Sequence, residues 1–294
     1  MIKRIVQGLL LLYIIILMVY ISTPARNNPE TILKKQIRQK AKNKHIPEKL
    51  RVVCIGDSIT HGNVSANYVK ALQKQLEEKI FQKTGKKFET INAGINSELV
   101  YNVLNRIDPI AALCPDFITI LIGTNDCYGS SSLKLQKRYR FTMKLPELPT
   151  PNLFETHLNT LIEQLKEKTD AEIGIFSLPT ITEVSSHPLF ERCQEFSRKI
   201  KQIADNHGIA YFPLNEQMTE KIIESPQSQR KWTLKYFFMT MVFATLYYFV
   251  YNWNFVGKWY GLRYHSDNLH LNNRGIEMVL THLKPFILNN LEDS

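Results

Sequence analysis

The chain is poor in cysteine and has no composition typical of an unfolded or fibrous protein. Four cysteines among 294 residues exclude a small scaffold held together by disulfides. A charged fraction of 22% and a hydrophobic fraction of 44% exclude a disordered chain, a collagen-like fibre and a polytopic transporter. We therefore expect one or two globular domains with a sizeable core.

Several catalytic signatures are absent from the sequence. No G-x-S-x-G stretch occurs, which disfavours the nucleophile elbow of an α/β-hydrolase. H-E-x-x-H, the P-loop and G-x-G-x-x-G are missing too, so zinc peptidases, nucleotide hydrolases and dinucleotide enzymes lack their motifs. The four cysteines have no metal-ligand spacing. We expect an activity that uses neither a metal nor another cofactor.

Acidic residues are too few to balance the basic ones, and the net charge is +10. The excess is confined to the N-terminus, because Lys3 and Arg4 contribute +2 and residues 26–51 contribute +7. Residues 52–294 retain only +1. The basic charge thus belongs to a tail, and the main domain gives no indication of a nucleic-acid partner.

A long apolar run precedes the main domain. Between Arg4 and Arg26 lie 21 uncharged residues, and residues 5–21 are nearly all Leu, Ile, Val, Met and Tyr. A helix of that length spans about 32 Å, enough for a hydrocarbon core of about 30 Å. Cleaved signal peptides have apolar regions of about 7–15 residues. We therefore predict an uncleaved signal anchor at residues 1–25 with one transmembrane helix; a buried soluble helix is the alternative.

The charges that flank this run give opposite indications of its orientation. Lys3 and Arg4 favour a cytoplasmic N-terminus, whereas the basic residues after the run favour the reverse. We expect an extracytoplasmic catalytic domain, because the basic N-terminus emerges first and the later charges belong to a stalk at residues 26–50. The apolar residues there fall roughly on one helical face: Ile32, Leu33, Ile37 and Ala41. The stalk is therefore either an amphipathic helix on anionic lipid or a solvated spacer.

Apolar strands alternate with amphipathic helices from residue 51 onward, which indicates a parallel sheet covered on both faces. The predicted strands are 51–56, 88–93, 117–122, 172–178 and 209–212, and the predicted helices are 68–81, 154–165, 189–204 and 275–288. Ligands bind to such sheets beyond the carboxyl ends of the strands. The turns at that edge are therefore the place to look for a site.

Three turns at that edge carry residues suited to acyl chemistry. Ser58 comes directly after the first strand, where a tight turn projects its hydroxyl and backbone N–H groups to the same place. Gly94 ends the second strand, and Asn125 follows Gly123 after the third. Two such donors and the N–H of the nucleophile would form an oxyanion hole. Each residue type is also common in ordinary turns and helix caps.

A histidine far downstream offers the base that a serine nucleophile needs. Asp267 and His270 lie three residues apart before the last predicted helix, so one loop delivers the imidazole and a carboxylate to fix its tautomer. A D-x-x-H stretch alone is common by chance. His265, in the same loop, is a second candidate base.

Together these segments resemble the four blocks of the SGNH, or GDSL-type, hydrolases, in the family's order: Gly56-Asp57-Ser58, Gly94, Gly123-x-Asn125-Asp126 and Asp267-x-x-His270. The resemblance covers residues 52–214 and 262–290. It implies a flavodoxin-like three-layer α/β/α sandwich with a five-stranded parallel sheet. Ser97 stands where the family often has a second glycine, which puts the loop shape in question.

The resemblance also implies roles for individual residues. Ser58 would be the nucleophile, His270 the general base, and Asp267 the group that orients His270. The N–H groups of Ser58 and Gly94 and the side chain of Asn125 would form the oxyanion hole.

An apolar insertion at residues 215–261 precedes the Asp-His loop. Residues 236–257 are 22 uncharged residues rich in Phe, Tyr and Trp. A single membrane crossing there would separate Ser58 from His270, so we expect a hydrophobic flap that dips into lipid near the site. An ordinary buried helix is the alternative.

We expect the hydrolase domain, residues 51–294, to be a membrane-anchored serine esterase that acts through an acyl-enzyme intermediate. Its substrates would be lipid esters or acylated saccharides. It would contact the bilayer through residues 5–21, with residues 236–257 as a second candidate contact. An acyltransferase with the same catalytic residues and a non-catalytic membrane-tethered binding module are the alternatives.

Overall fold

A single parallel sheet of five strands forms the centre of the molecule. The computed structural model describes residues 2–41, 48–224 and 252–291. The strands are β1 Lys49–Gly56, β2 Lys87–Gly94, β3 Phe117–Leu121, β4 Glu172–Phe176 and β5 Ala210–Phe212, in the spatial order β2-β1-β3-β4-β5. This is the flavodoxin-like order. The predicted parallel sheet is confirmed, and each strand begins and ends within two residues of its predicted position.

Helices connect the strands and precede the sheet. In the described part of the chain they are α1 Ile2–Ser22, α2 Pro29–Ala41, α3 Ser58–His61, α4 Tyr68–Thr84, α5 Val100–Leu104, α6 Ile107–Ala111, α7 Thr124–Gly129, α8 Leu133–Thr142, α9 Pro151–Lys168, α10 Pro188–His207, α11 Leu214–Glu224, α12 Trp253–Trp259 and α13 Asn273–Asn289.

Each face of the sheet has its own apolar core, because successive side chains of a strand point to opposite faces. Val52 and Cys54 of β1 pack in one core with residues of α4 and α13. Val53 and Ile55 pack in the other core with residues of α9 and α10. The two cores and the sheet between them make the three layers that the sequence predicts.

The residues between α1 and α2 attach to the edge of the sheet. Within this edge segment, residues 23–28, the carbonyl of Asn27 accepts the N–H of Asn92 at 3.1 Å, and Asn27 Nδ2 donates to the carbonyl of Thr90 at 2.8 Å. Ile32 of α2 packs against the core on the Val53 side. Part of the predicted stalk therefore lies on the domain.

The structure does not test the predicted domain boundaries at residues 25 and 50, so they stay predictions. No helix among the described residues combines the length and the apolar composition needed to cross a bilayer. In the insertion at residues 215–261, the first residues belong to α11 and the last ones include α12. Most of the predicted apolar segment 236–257 lies outside the described residues.

Candidate active site

Ser58 is the first residue of the short helix α3, which follows β1 directly. The carboxylate of Asp57 caps this helix by accepting the N–H of Ile59 at 2.9 Å. The first N–H groups of a helix have no partner within the helix, so α3 directs the N–H of Ser58 outward at its N-terminus. Because β1 lies between β2 and β3, Ser58 stands at the carboxyl edge between the turns that follow those two strands.

Ser58, His270 and Asp267 form a continuous series of hydrogen bonds. His270 Nε2 lies 2.8 Å from Ser58 Oγ, and His270 Nδ1 lies 2.8 Å from Asp267 Oδ2. All three residues are buried, and Ser58 is 8% exposed. Both distances are within the reach that activation of a serine by a histidine requires. The structure thus joins the predicted residues across a separation of 212 positions.

The charges of this series suit a base held by a carboxylate. Burial lowers the pKa of His270, but the adjacent Asp267 carboxylate outweighs it, and the net pKa is above the usual 6.5. Burial raises the pKa of Asp267, yet the charge of His270 and the N–H groups of Leu269 and His270 bring it below its usual value. Asp267 therefore stays ionised, and His270 gains stabilisation when it takes up a proton.

A second carboxylate, Glu183, holds the loop that carries these residues. Its Oε2 accepts the N–H of Arg263 at 2.8 Å, and its Oε1 accepts the N–H groups of Tyr264 at 2.7 Å and His265 at 3.0 Å. His265 Nδ1 lies 2.9 Å from the same Oε1, and His265 is 0% exposed. His265, the second candidate base, is thus paired with Glu183. Nothing in the sequence singles out Glu183.

Gly94 ends β2 directly against the nucleophile turn. A Cβ atom at this position would lie 2.3 Å from the backbone nitrogen of His61 and 2.8 Å from the carbonyl oxygen of Asp57. Glycine is required there because any side chain would displace the backbone of α3. The N–H of Gly94 donates to Asn92 Oδ1 at 3.0 Å.

Asn125 is held on three sides. Its Nδ2 donates to Asp57 Oδ2 at 3.2 Å and to the carbonyl of Glu98 at 3.1 Å, and its Oδ1 accepts the Tyr139 hydroxyl at 2.8 Å. Because a phenol hydroxyl donates to the amide oxygen, Tyr139 fixes which way the amide faces. Tyr139 lies outside the four motifs. A substrate oxyanion would have to displace the oxygen atoms that already accept hydrogen bonds from the N–H of Gly94 and from Asn125 Nδ2.

Two buried aspartates lie behind the site. Burial raises the pKa of Asp57 to about 6 and that of Asp126 to about 7. Asp126 Oδ2 accepts the N–H of Val100 at 3.2 Å, and Asp126 lines a small cavity together with Tyr101 and His157. In the described part of the chain, no group of three or more His, Cys, Asp or Glu side chains is placed to hold a metal ion.

A carboxylate, an imidazole and a hydroxyl bonded in this order are the means by which hydrolases activate a serine. The flavodoxin-like fold and this site therefore define a serine hydrolase. The chain belongs to the GDSL-like lipase/acylhydrolase family, whose model matches residues 54–237. It is accordingly a serine esterase, and the predicted family is confirmed. The match includes Ser58 and Asn125 and ends before Asp267 and His270.

Solved structures agree on the fold. An acetyl xylan esterase, AlAXEase, superposes with a TM-score of 0.56 at 17% identity, covering 81% of this chain and 100% of its own. LAE5, an alpha/beta hydrolase from the metagenome of Lake Arreo in Spain, superposes with a TM-score of 0.54 at 17% identity. The superposition covers 80% of this chain and 93% of LAE5. A catalytic mutant of an acetylxylan esterase from Geobacillus stearothermophilus gives the same values. No curated protein matches the chain by sequence.

Proposed function

We propose that Ser58, His270 and Asp267 carry out ester hydrolysis in two steps. The 2.8 Å distance between His270 Nε2 and Ser58 Oγ carries this proposal. His270 takes the Ser58 proton as Oγ attacks the ester carbonyl, and it then gives the proton to the leaving alcohol. Water, activated by the same imidazole, hydrolyses the acyl-enzyme. Asp267 keeps the His270 proton on Nδ1, so that Nε2 is free to act as a base.

The N–H groups of Ser58 and Gly94 and the side chain of Asn125 stabilise the oxyanion in this proposal. In the resting site Gly94 donates to the neutral amide oxygen of Asn92. A charged oxyanion is a stronger acceptor than a neutral amide, so it can take over that donor. Each oxyanion donor contributes roughly 10²–10³ in rate.

Two classes of ester are the candidate substrates, namely acylated saccharides and lipid esters. For saccharides, the support is that two structurally similar proteins are described as acetyl xylan esterases. For lipids, the support is the apolar composition of residues 5–21 and 236–257. The described side chains of α1 include exposed ones such as Leu9 and Leu11.

We also propose that α1 attaches the chain to a membrane and that the catalytic domain lies outside the cytoplasm. The support is the 21 uncharged residues that follow the basic N-terminus. Full-length protein mixed with neutral phosphatidylcholine vesicles would then sediment with them to a greater extent than a chain without residues 1–22. Equal sedimentation of both chains would contradict the attachment.

An ester panel of increasing acyl length, together with an acetylated xylo-oligosaccharide, tests the chemistry. Ser58→Ala should lose roughly 10⁴-fold or more in kcat on every substrate. Ser65→Ala is a matched control, because Ser65 is also buried but donates only to the backbone carbonyl of Ala66. Ester hydrolysis that survives Ser58→Ala would contradict the proposal. The substrate with the highest kcat/KM identifies the acyl group.

The same acyl-enzyme transfers its acyl group when an alcohol replaces water. Adding a sugar or glycerol to the assay distinguishes the two outcomes, because a transferase accumulates the acylated acceptor and a hydrolase accumulates the free acid. A non-catalytic binding module would show no labelling of Ser58 by a fluorophosphonate.

A further inference from the structure

The segment after α7 carries a positive charge that the near-neutral total of the domain conceals. Residues 130–145 contain no acidic residue and five basic ones: Lys134, Lys137, Arg138, Arg140 and Lys144. The rest of residues 52–294 therefore sums to −4. All five basic side chains are exposed. Within the described residues, none of the five forms an ion pair with a carboxylate.

Helix α8 presents this charge on one face together with an aromatic ring. Lys134, Lys137, Arg138 and Phe141 follow the spacing i, i+3, i+4 and i+7, which brings them to one side of a helix. Phe141 is 86% exposed. Tyr139, by contrast, is half-buried. Basic side chains around an exposed aromatic ring are typical of a helix that lies in the interface of an anionic bilayer.

This helix is fixed beside the active site. The Tyr139 hydroxyl bonds to Asn125, and Asn102 Nδ2 donates to the carbonyl of Met143 at 3.1 Å just after α8. The end of α1 reaches the same carboxyl edge of the sheet, because the Tyr20 hydroxyl donates to the carbonyl of Asn63 at 3.2 Å, just after α3. The apolar helix α1 and the basic helix α8 thus both contact turns that surround Ser58.

We propose that the outer face of α8, formed by Lys134, Lys137, Arg138 and Phe141, docks on an anionic lipid surface. The cations contact the headgroups, and the Phe141 ring enters the interface. This docking rests on the proposed membrane attachment, because the attachment brings α8 to a bilayer. The docked helix adds a second contact, which holds the active site toward the lipid. Esters at the membrane surface would then reach Ser58 without leaving the membrane.

The fluorescence of a tryptophan introduced by Phe141→Trp reports this docking in the full-length protein. The emission, after subtraction of the wild-type signal, should shift to shorter wavelength in phosphatidylcholine vesicles that contain phosphatidylglycerol, and not in phosphatidylcholine alone. Salt well above 0.1 M should reverse the shift, because it screens exposed charges. Adding Lys134→Gln, Lys137→Gln and Arg138→Gln should raise the phosphatidylglycerol fraction needed for half the shift by roughly tenfold or abolish the shift.

The matched control removes the same number of positive charges from exposed positions of another helix. Lys70→Gln, Lys74→Gln and Lys79→Gln on α4, combined with Phe141→Trp, should leave the shift unchanged. The proposal would be overturned by no shift with phosphatidylglycerol or by an equal shift in neutral vesicles. It would also be overturned by a shift that an anionic polysaccharide produces and vesicles do not. Sedimentation with neutral vesicles and hydrolysis of a soluble ester report separately on the attachment and on the chemistry.

Discussion

One hydroxyl outside the family motifs sets the orientation of a predicted oxyanion donor. Tyr139 donates to Asn125 Oδ1, which leaves Nδ2 to face Asp57 and the nucleophile turn. Tyr139→Phe keeps the ring, which packs edge-on against Tyr128, and removes only the hydrogen bond. We expect kcat to fall about tenfold with little change in KM, because a freed amide can rotate its oxygen toward the oxyanion.

Two measurements distinguish a misoriented Asn125 amide from a loss of folded structure. The fall of kcat/KM at low pH is set by protonation of His270, whose pKa is raised above 6.5, and Tyr139→Phe should leave that limb in place. Tyr128→Phe, which keeps the Tyr139 hydroxyl, should retain wild-type kcat. An unchanged kcat in Tyr139→Phe would show that the amide is held by its other contacts.

The proposed catalytic residues were predictable because they lie in sequence motifs. The residues that hold them in position were not predictable. Ser58 and His270 stand in recognisable stretches, and the structure joins them as predicted. Glu183 acts through contacts with three residues that lie 80 to 82 positions away. Tyr139 acts through its contact with Asn125, 14 positions away. A lone glutamate or tyrosine leaves no pattern in a sequence, because its role depends on which loop the fold brings to it.

At the scale of elements, the strands were predictable and the short helices at the carboxyl edge were not. Each strand is a run of apolar residues, several of them ended by glycine, and burial on both faces requires that composition. Helix α8 buries no residue fully, so its sequence lacks an apolar stripe. The net charge of the domain also hid the basic face of α8, because acidic residues elsewhere balance it in the total.

The edge segment supports the site from outside the predicted domain. Asn92 accepts the N–H of Gly94 through Oδ1 and donates to the carbonyl of Thr60 at 2.8 Å through Nδ2, while its own N–H is held by Asn27. Removing residues 1–28 should therefore lower the thermal midpoint by several degrees and reduce kcat on a soluble ester.

Removing only residues 1–19 is the control for this prediction, because it leaves in place both the edge segment and Tyr20, whose hydroxyl donates to the carbonyl of Asn63. That shorter deletion should keep the stability and kcat close to those of the full chain in a detergent-solubilised assay. Equal losses in both deletions would assign the effect to α1.

At the scale of the whole molecule, buried acids make stability depend on pH. Asp126 has a folded-state pKa of about 7 against 3.8 for an ordinary aspartate, so between these values the folded state binds more protons than the unfolded state. Stability contributed by this group therefore falls as the pH rises from about 4 to about 7, by about 4 kcal/mol.

Asp126→Asn tests this linkage, because an amide can still accept the N–H of Val100 and cannot ionise. The variant should unfold at a higher temperature than the wild type at pH about 8, and the difference should shrink as the pH approaches about 4. Asp205→Asn removes an exposed carboxylate instead and should change the thermal midpoint little at pH about 8. A constant difference across the range would contradict the raised pKa of Asp126.

A parallel sheet has two outer strands whose unpaired peptide groups can recruit a neighbouring chain. In this protein one of them, β5, is only three residues long, and the other, β2, has the outward N–H of Asn92 occupied by Asn27. Proteolytic clipping just before α2 would uncover β2. The clipped enzyme would then be prone to pair edge to edge with other copies and aggregate, so an intact N-terminus also protects the exposed edge of the sheet.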